Sequence, residues 1–251
     1  MIEGVTAASL AVIVGAVAVG ALVKGVTGSG LPTIAIPVMA SFLGVERAVV
    51  VMAIPTVVTN SWLLWEYRHD ASGSRDLPLM LGSGAVGVAA GVWALEQLDP
   101  RLLAIVIAGL IAVYAVVSLV RPSFALPPSA TRYLSAPVGF GGGVLQGATG
   151  MAGPVVATYV HGFRLSPPSY VFSIAAQFQL FALVQVIVFL ALGMYTAARL
   201  LESLLALFPA LLVLPLGVRL ARRLDPRRFD LAVLGVLVAM GAKLAYDALT
   251  G

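Results

Sequence analysis

The sequence predicts an all-α polytopic membrane protein made of two homologous halves, each with a Gly-rich helix break and a half-helix. Three observations carry this. Hydrophobic residues fill 60% of the 251 positions and charged residues only 10%, with a mean hydropathy of +1.03, whereas a soluble domain holds about 45–50% apolar and about 25% charged residues. The apolar residues come in long runs without period-2 alternation, which excludes a transmembrane β-barrel. A polar-containing motif also recurs after about half the chain.

At about 20 residues per crossing, eight crossings use roughly 160 residues and leave no room for a soluble domain. A receptor ectodomain, a cytoplasmic enzyme and a nucleic-acid binder are therefore disfavoured. The formal net charge of +4 reads as basic residues at the ends of membrane helices. With no cysteine, there is no disulfide framework or thiolate metal site.

The apolar runs are 6–26, 31–43, 46–65, 77–95, 101–120, 133–147, 154–163, 168–192, 200–218 and 229–248. The first is preceded by Glu3 without Lys or Arg and continues towards Lys24 without a polar break, so it reads as a retained helix and not a cleaved leader. Runs 31–43 and 154–163 are too short to span and read as half-helices. The polar connections are brief: Glu66 to Asp76, Arg121 to Arg132 with three prolines, and Arg219 to Asp230.

Sliding the chain on itself by 122 residues lays Lys24-Gly25-Val26-Thr27-Gly28-Ser29-Gly30-Leu31-Pro32 over Gln146-Gly147-Ala148-Thr149-Gly150-Met151-Ala152-Gly153-Pro154. At a shift of 126, Leu98-Asp99-Pro100-Arg101 falls on Leu224-Asp225-Pro226-Arg227, and Gly109 on Gly235. This predicts an N-terminal transmembrane repeat over 1–121, a linker over 122–132 and a C-terminal transmembrane repeat over 133–251. Such repeats are frequent in transporters, where two similar halves exchange conformations around a site between them.

The charges address the orientation of the halves. If each half crosses the bilayer an odd number of times, Arg68, Arg75, Arg121, Arg132, Arg164, Arg219, Arg222, Arg223, Arg227 and Arg228 share one face. Arg47, Arg101, Arg199 and Lys243 then lie opposite. Ten against four fits the positive-inside rule better than the eight against six of a parallel arrangement. The expectation is inverted repeats with both termini outside the cytoplasm.

Each repeated motif combines glycines, which permit non-helical backbone, with a proline suited to the first turn of a new helix. Broken backbone at membrane depth is tolerated only inside protein or beside a water-filled cavity. Two half-helix N-termini converging there would favour an anion. Lys24 adds a full charge as the one basic residue that reads as well inside an apolar run and away from the last turn of a helix, and ionisable residues at such places are functional candidates. The bland alternatives are a Lys24 that snorkels to the interface and hydroxyls that only satisfy backbone carbonyls.

The expected substrate-binding set is Lys24, Thr27, Gly28, Ser29, Gly30, Asn60, Gln146, Thr149, Gly150, Met151, Gly153 and Gln177, beside backbone N–H groups of 28–33 and 150–155. Gln177 enters because it overlies Pro55 at the 122 shift. Gly139, Gly143 and Gly147, with Gly87 and Gly91, follow GxxxG spacings and read as close-packing positions. His161, Gln179 and Gln185 complete the intramembrane polar residues. The eleven acidic residues read as lying at helix ends or in loops, which does not support strong ion coupling.

No HExxH, GxSxG or Walker-type loop is present. No catalytic residues, cofactor or metal are therefore implied, and the chain does not read as an enzyme.

With its paired Gly-rich breaks, Gly25 to Pro32 and Gly139 to Pro154, each followed by three more hydrophobic helices, the whole chain resembles the TauE/SafE (TSUP) family of sulfite-exporter-like transporters. The resemblance implies transport of small sulfur-containing anions such as sulfite or organosulfonates across a bacterial inner membrane, with membrane lipid as surroundings and self-association left open. Leu31, Met151 and Ala152 stand where glycine is usual in that family. An anion channel, or an uptake permease for a sulfonate or carboxylate, is the alternative reading.

Overall fold

The computed structural model describes residues 5–27, 30–73, 76–120, 125–220 and 226–250. Among these are ten α-helices and no strand: α1 Ala7–Thr27, α2 Leu31–Leu43, α3 Val45–Glu66, α4 Leu77–Gln97, α5 Pro100–Val120, α6 Pro128–Thr149, α7 Gly153–His161, α8 Pro167–Ala191, α9 Ala197–Leu220 and α10 Pro226–Thr250. A 3₁₀ turn at Arg68–Gly73 joins α3 to α4. Six of the helices, α1, α3, α4, α5, α8 and α9, are long and apolar enough to cross a membrane.

Local chemistry sets the helix starts. Thr6 and Ser9 cap α1 reciprocally, each backbone N–H donating to the other's hydroxyl at 3.0 Å. Ser166 accepts from the Ser169 N–H at the start of α8. Prolines stand in the first turn of α2, α4, α6, α7 and α8, where a missing N–H is harmless. Helix α6 begins at Pro128, inside the segment the sequence reads as linker. Its Thr131 and Ser135 are fully buried, and the Thr131 hydroxyl is bonded to Asp76 at the start of α4.

Leaving aside helices adjacent in the chain, the most extensive contacts are α4 with α6, α1 with α9, α3 with α8 and α5 with α10. Exchanging each helix with the one five places away interconverts the first two pairs and maps each of the other two onto itself. The α4/α6 contact is made by the glycines of the two GxxxG series. A Cβ added to Gly143 would lie 2.9 Å from Val88 N, one on Gly147 2.7 Å from Val92 N, and one on Gly91 2.9 Å from Ala148 N. Gly25 and Gly217 bring α1 and α9 together in the same way, with Gly217 Cα 2.8 Å from where a Gly25 Cβ would stand. Small residues matter here because lipid is as apolar as leucine, so helices associate through close backbone approach and dispersion.

One carboxylate near a helix start is enclosed by the protein. Glu202 lies in α9 and is fully buried, because Arg47 of α3 reaches it through two hydrogen bonds, one of 3.0 Å from Nε to Oε2. The Ser9 hydroxyl lies 3.5 Å from its Oε1. Ser9 and Thr131 are related by the 122 shift, and Asp76 and Glu202 by the 126 shift. In both halves, then, a hydroxyl near the start of the first helix meets an acid near the start of the other half's fourth helix. His161 departs from expectation: it is exposed at the end of α7, its ring edge-on to Tyr170 at 6.4 Å.

Candidate functional site

Helix α1 stops at Thr27 and α2 starts at Leu31, with Gly30 between them at φ 111°. An L side chain rarely adopts that conformation, so glycine fits there. Helix α6 stops at Thr149, Gly150 turns back at φ 69° with its N–H donating to Gln146 O at 2.7 Å, and α7 starts at Gly153. The two discontinuities meet each other. A Cβ on Gly153 would lie 3.2 Å from Thr33 Oγ1, so the first turns of α7 and α2 are in contact, and Gly150 lies against Ile36 and Val49.

A small, partly open cavity lies at this junction, lined by Lys24, Gly30, Asn60, Gln146, Gly150 and Gly153, with Thr33, Thr56 and Phe178 among the others. Lys24 sits in the last turn of α1, not short of it as the apolar run implies, because the helix ends at the Gly-rich stretch. It does not snorkel. Its side chain is 2% exposed, and its Nζ turns inward to α3, donating to Thr59 Oγ1 at 3.0 Å and to Asn60 Oδ1. Thr59 sends its own proton to Pro55 O at 2.8 Å, so its oxygen is oriented to accept from the lysine. As an ammonium, Lys24 keeps a third N–H. Asn60 Nδ2 is buried without a hydrogen-bond partner, a costly state unless something binds there.

On the α6 side, Gln146 Oε1 accepts from Ala152 N at 3.3 Å, and its Nε2 donates to Gln185 Oε1 at 3.3 Å. Gln185 Nε2 returns a bond to Gln146 O at 2.9 Å. This glutamine pair holds the end of α6 against α8 and ties down the Ala152 N–H at the N-cap of α7.

The remaining candidates lie elsewhere. Thr149 donates to Leu145 O at 2.6 Å and accepts from Met151 N at 3.2 Å, which caps the end of α6. The Met151 side chain is buried in the apolar core. Gln177 is fully buried and donates to Met80 O of α4 at 3.1 Å, while Phe178 beside it lines the cavity. Thr27 closes α1; Gly28 and Ser29 lie outside the described residues.

Sequence reasoning passed over Thr33, Thr56 and Thr59. The last two stand with Asn60 at i, i+3 and i+4 in the middle of α3, whose preceding residues 48–55 are all apolar, a polar stripe on one face that marks the cavity side of the helix.

The family described as sulfite exporter TauE/SafE matches residues 12–244 of the chain. No curated protein and no solved structure matches it.

Proposed function

The chain belongs to the TauE/SafE sulfite exporter family of membrane transporters, and on that premise we propose that it carries a small sulfur-containing anion, sulfite or an organosulfonate, through the cavity between the α1/α2 and α6/α7 junctions. The observation that carries this reading is the pairing of a buried lysine amino group with a buried, unpartnered amide N–H, Lys24 and Asn60 Nδ2, at the wall of one cavity. Both are donors. A sulfite or sulfonate oxygen shell supplies only acceptors, so it can satisfy them where a cation or a neutral apolar solute cannot.

The mechanism uses two inverted halves, one carrying α1 to α5 and the other α6 to α10, that rock around this site. The reciprocal helix contacts, the matched hydroxyl–acid pairs and the ten-against-four distribution of basic residues support that arrangement. Thr59 and the α3 backbone hold Lys24 towards the cavity; Gln146 and Gln185 hold the opposite wall. We place the protein in a bacterial inner membrane, where a potential negative inside favours outward movement of each negative charge by about 2.3 kcal/mol per 100 mV. Export then proceeds without an ion gradient to drive it.

The test is thermal stabilisation of the purified protein by sulfite, thiosulfate, sulfoacetate, taurine, sulfate and simple carboxylates, with counterflow in proteoliposomes for those that bind. A ligand at 100 times its Kd stabilises by about 2.7 kcal/mol. Sulfite or a sulfonate is expected to stabilise the protein and to show saturable counterflow, and Lys24→Ala to abolish both. If Lys24→Ala binds sulfonates as tightly as the parent, the site is elsewhere.

A further inference from the structure

Lys24 and Gln146 occupy the same place in the two repeats, one turn before the end of the first helix, and both line the cavity. Their partners correspond as well: Thr59, which binds Lys24, lies 126 residues before Gln185, which binds Gln146. One half thus presents an ammonium and the other, at the equivalent position, a neutral amide whose two ends are already taken.

The helix ends do not add a second charge. Each half-helix N-terminus, with its partial positive charge, starts beside the C-terminus of the preceding helix with its partial negative charge: α2 after α1, and α7 after α6. These partial charges largely offset one another. Among the described residues lining the cavity, Lys24 is the one ionisable side chain.

Resting on the anion-site reading above, we propose that Gln146 sets the charge selectivity of the site, which takes its substrate as a monoanion, a sulfonate R–SO₃⁻ or sulfite in its hydrogensulfite form, and rejects dianions of the same size. One ammonium neutralises one negative charge. A second, desolvated between Phe178, Pro32 and Ala152 with no cation to meet it, favours staying in water. Replacing Gln146 by lysine would rebuild on α6 the arrangement of α1, with Gln185 Oε1 as the acceptor that Thr59 provides for Lys24.

The experiment compares methanesulfonate with sulfate, tetrahedral sulfur anions that differ by a methyl in place of a charged oxygen, by calorimetric binding to the full chain in detergent at pH 7.5. The parent is expected to bind methanesulfonate at least tenfold more tightly than sulfate, and Gln146→Lys to reverse that order. Lys24→Gln, which makes both positions neutral, is expected to lose methanesulfonate by tenfold or more, and it decides the matter together with the parent if Gln146→Lys does not fold. Sulfate binding the parent as tightly as methanesulfonate, or an unchanged ratio in folded Gln146→Lys, overturns the charge rule while leaving the anion site standing. A folded parent that binds neither anion, nor sulfite, overturns the site itself and the rule with it.

Discussion

Removing either partner of the Arg47–Glu202 pair should destabilise the protein, but by unequal amounts. The Glu202 side chain is 0% exposed and the Arg47 side chain 24%, so the two charges differ in what they can do when left alone. In Arg47→Met, Glu202 keeps only the Ser9 hydroxyl at 3.5 Å, and a buried carboxylate without its cation costs about 3–5 kcal/mol. In Glu202→Gln, the guanidinium retains its route to water and loses a charge-assisted pair, a loss of about 1.5–3 kcal/mol. The double variant Arg47→Met/Glu202→Leu removes both desolvated charges and should recover most of the larger loss, because buried pairs replaced by apolar residues of similar volume are often neutral. Detergent-titrated unfolding of the three variants measures this directly. The reasoning is refuted if Glu202→Gln is the worse single variant, or if the double variant is as unstable as the two losses added together.

Three further outcomes follow from the geometry. Gly143→Leu should separate α4 from α6 and lower stability by several kcal/mol, because its Cβ has no space beside Gly84 and Val88; Gly82→Ala, with nothing within 4 Å, should leave stability unchanged or raise it by up to about 1 kcal/mol, and unfolding midpoints compare the two. Gly30→Ala should cost about 1–2 kcal/mol and weaken anion-induced stabilisation together, since φ 111° is unfavourable to any side chain; a variant that binds normally would detach the α2 start from the site. Burial raises the Tyr195 phenol above its ordinary value of 10.0, so the unfolded chain ionises first and stability should fall as pH rises past about 10. Tyr195→Phe should remove that part of the fall, as read from unfolding at pH 9 and pH 11.

How far the site could be read from the sequence depends on the kind of signal each residue carries. Lys24, Gly30, Gln146, Gly150 and Gly153 sit in the repeated motif, and a break in an apolar run is visible in one dimension. The bounds of α2 coincide with run 31–43 for the same reason. Gln177 could not be placed that way. The 122 shift puts it on the right helix, but which side of α8 faces the cavity depends on how α8 meets α3 and α4, and one position along the helix separates Gln177 on Met80 from Phe178 on the cavity. The paired glycines of α4 and α6 were legible as close-packing positions; that they pack on each other became visible only in three dimensions.

The sequence by itself determined that this is a helical membrane protein whose apolar runs are interrupted at Lys24–Pro32 and Gln146–Pro154, because bilayer thickness and the cost of buried charge act on every residue locally. Only the tertiary structure decided that the lysine points inward to Thr59 and Asn60, that Glu202 is enclosed by a partner 155 residues away, and that the two interruptions touch. Those features depend on which helix faces lie together, and that is settled by packing between segments far apart in the chain.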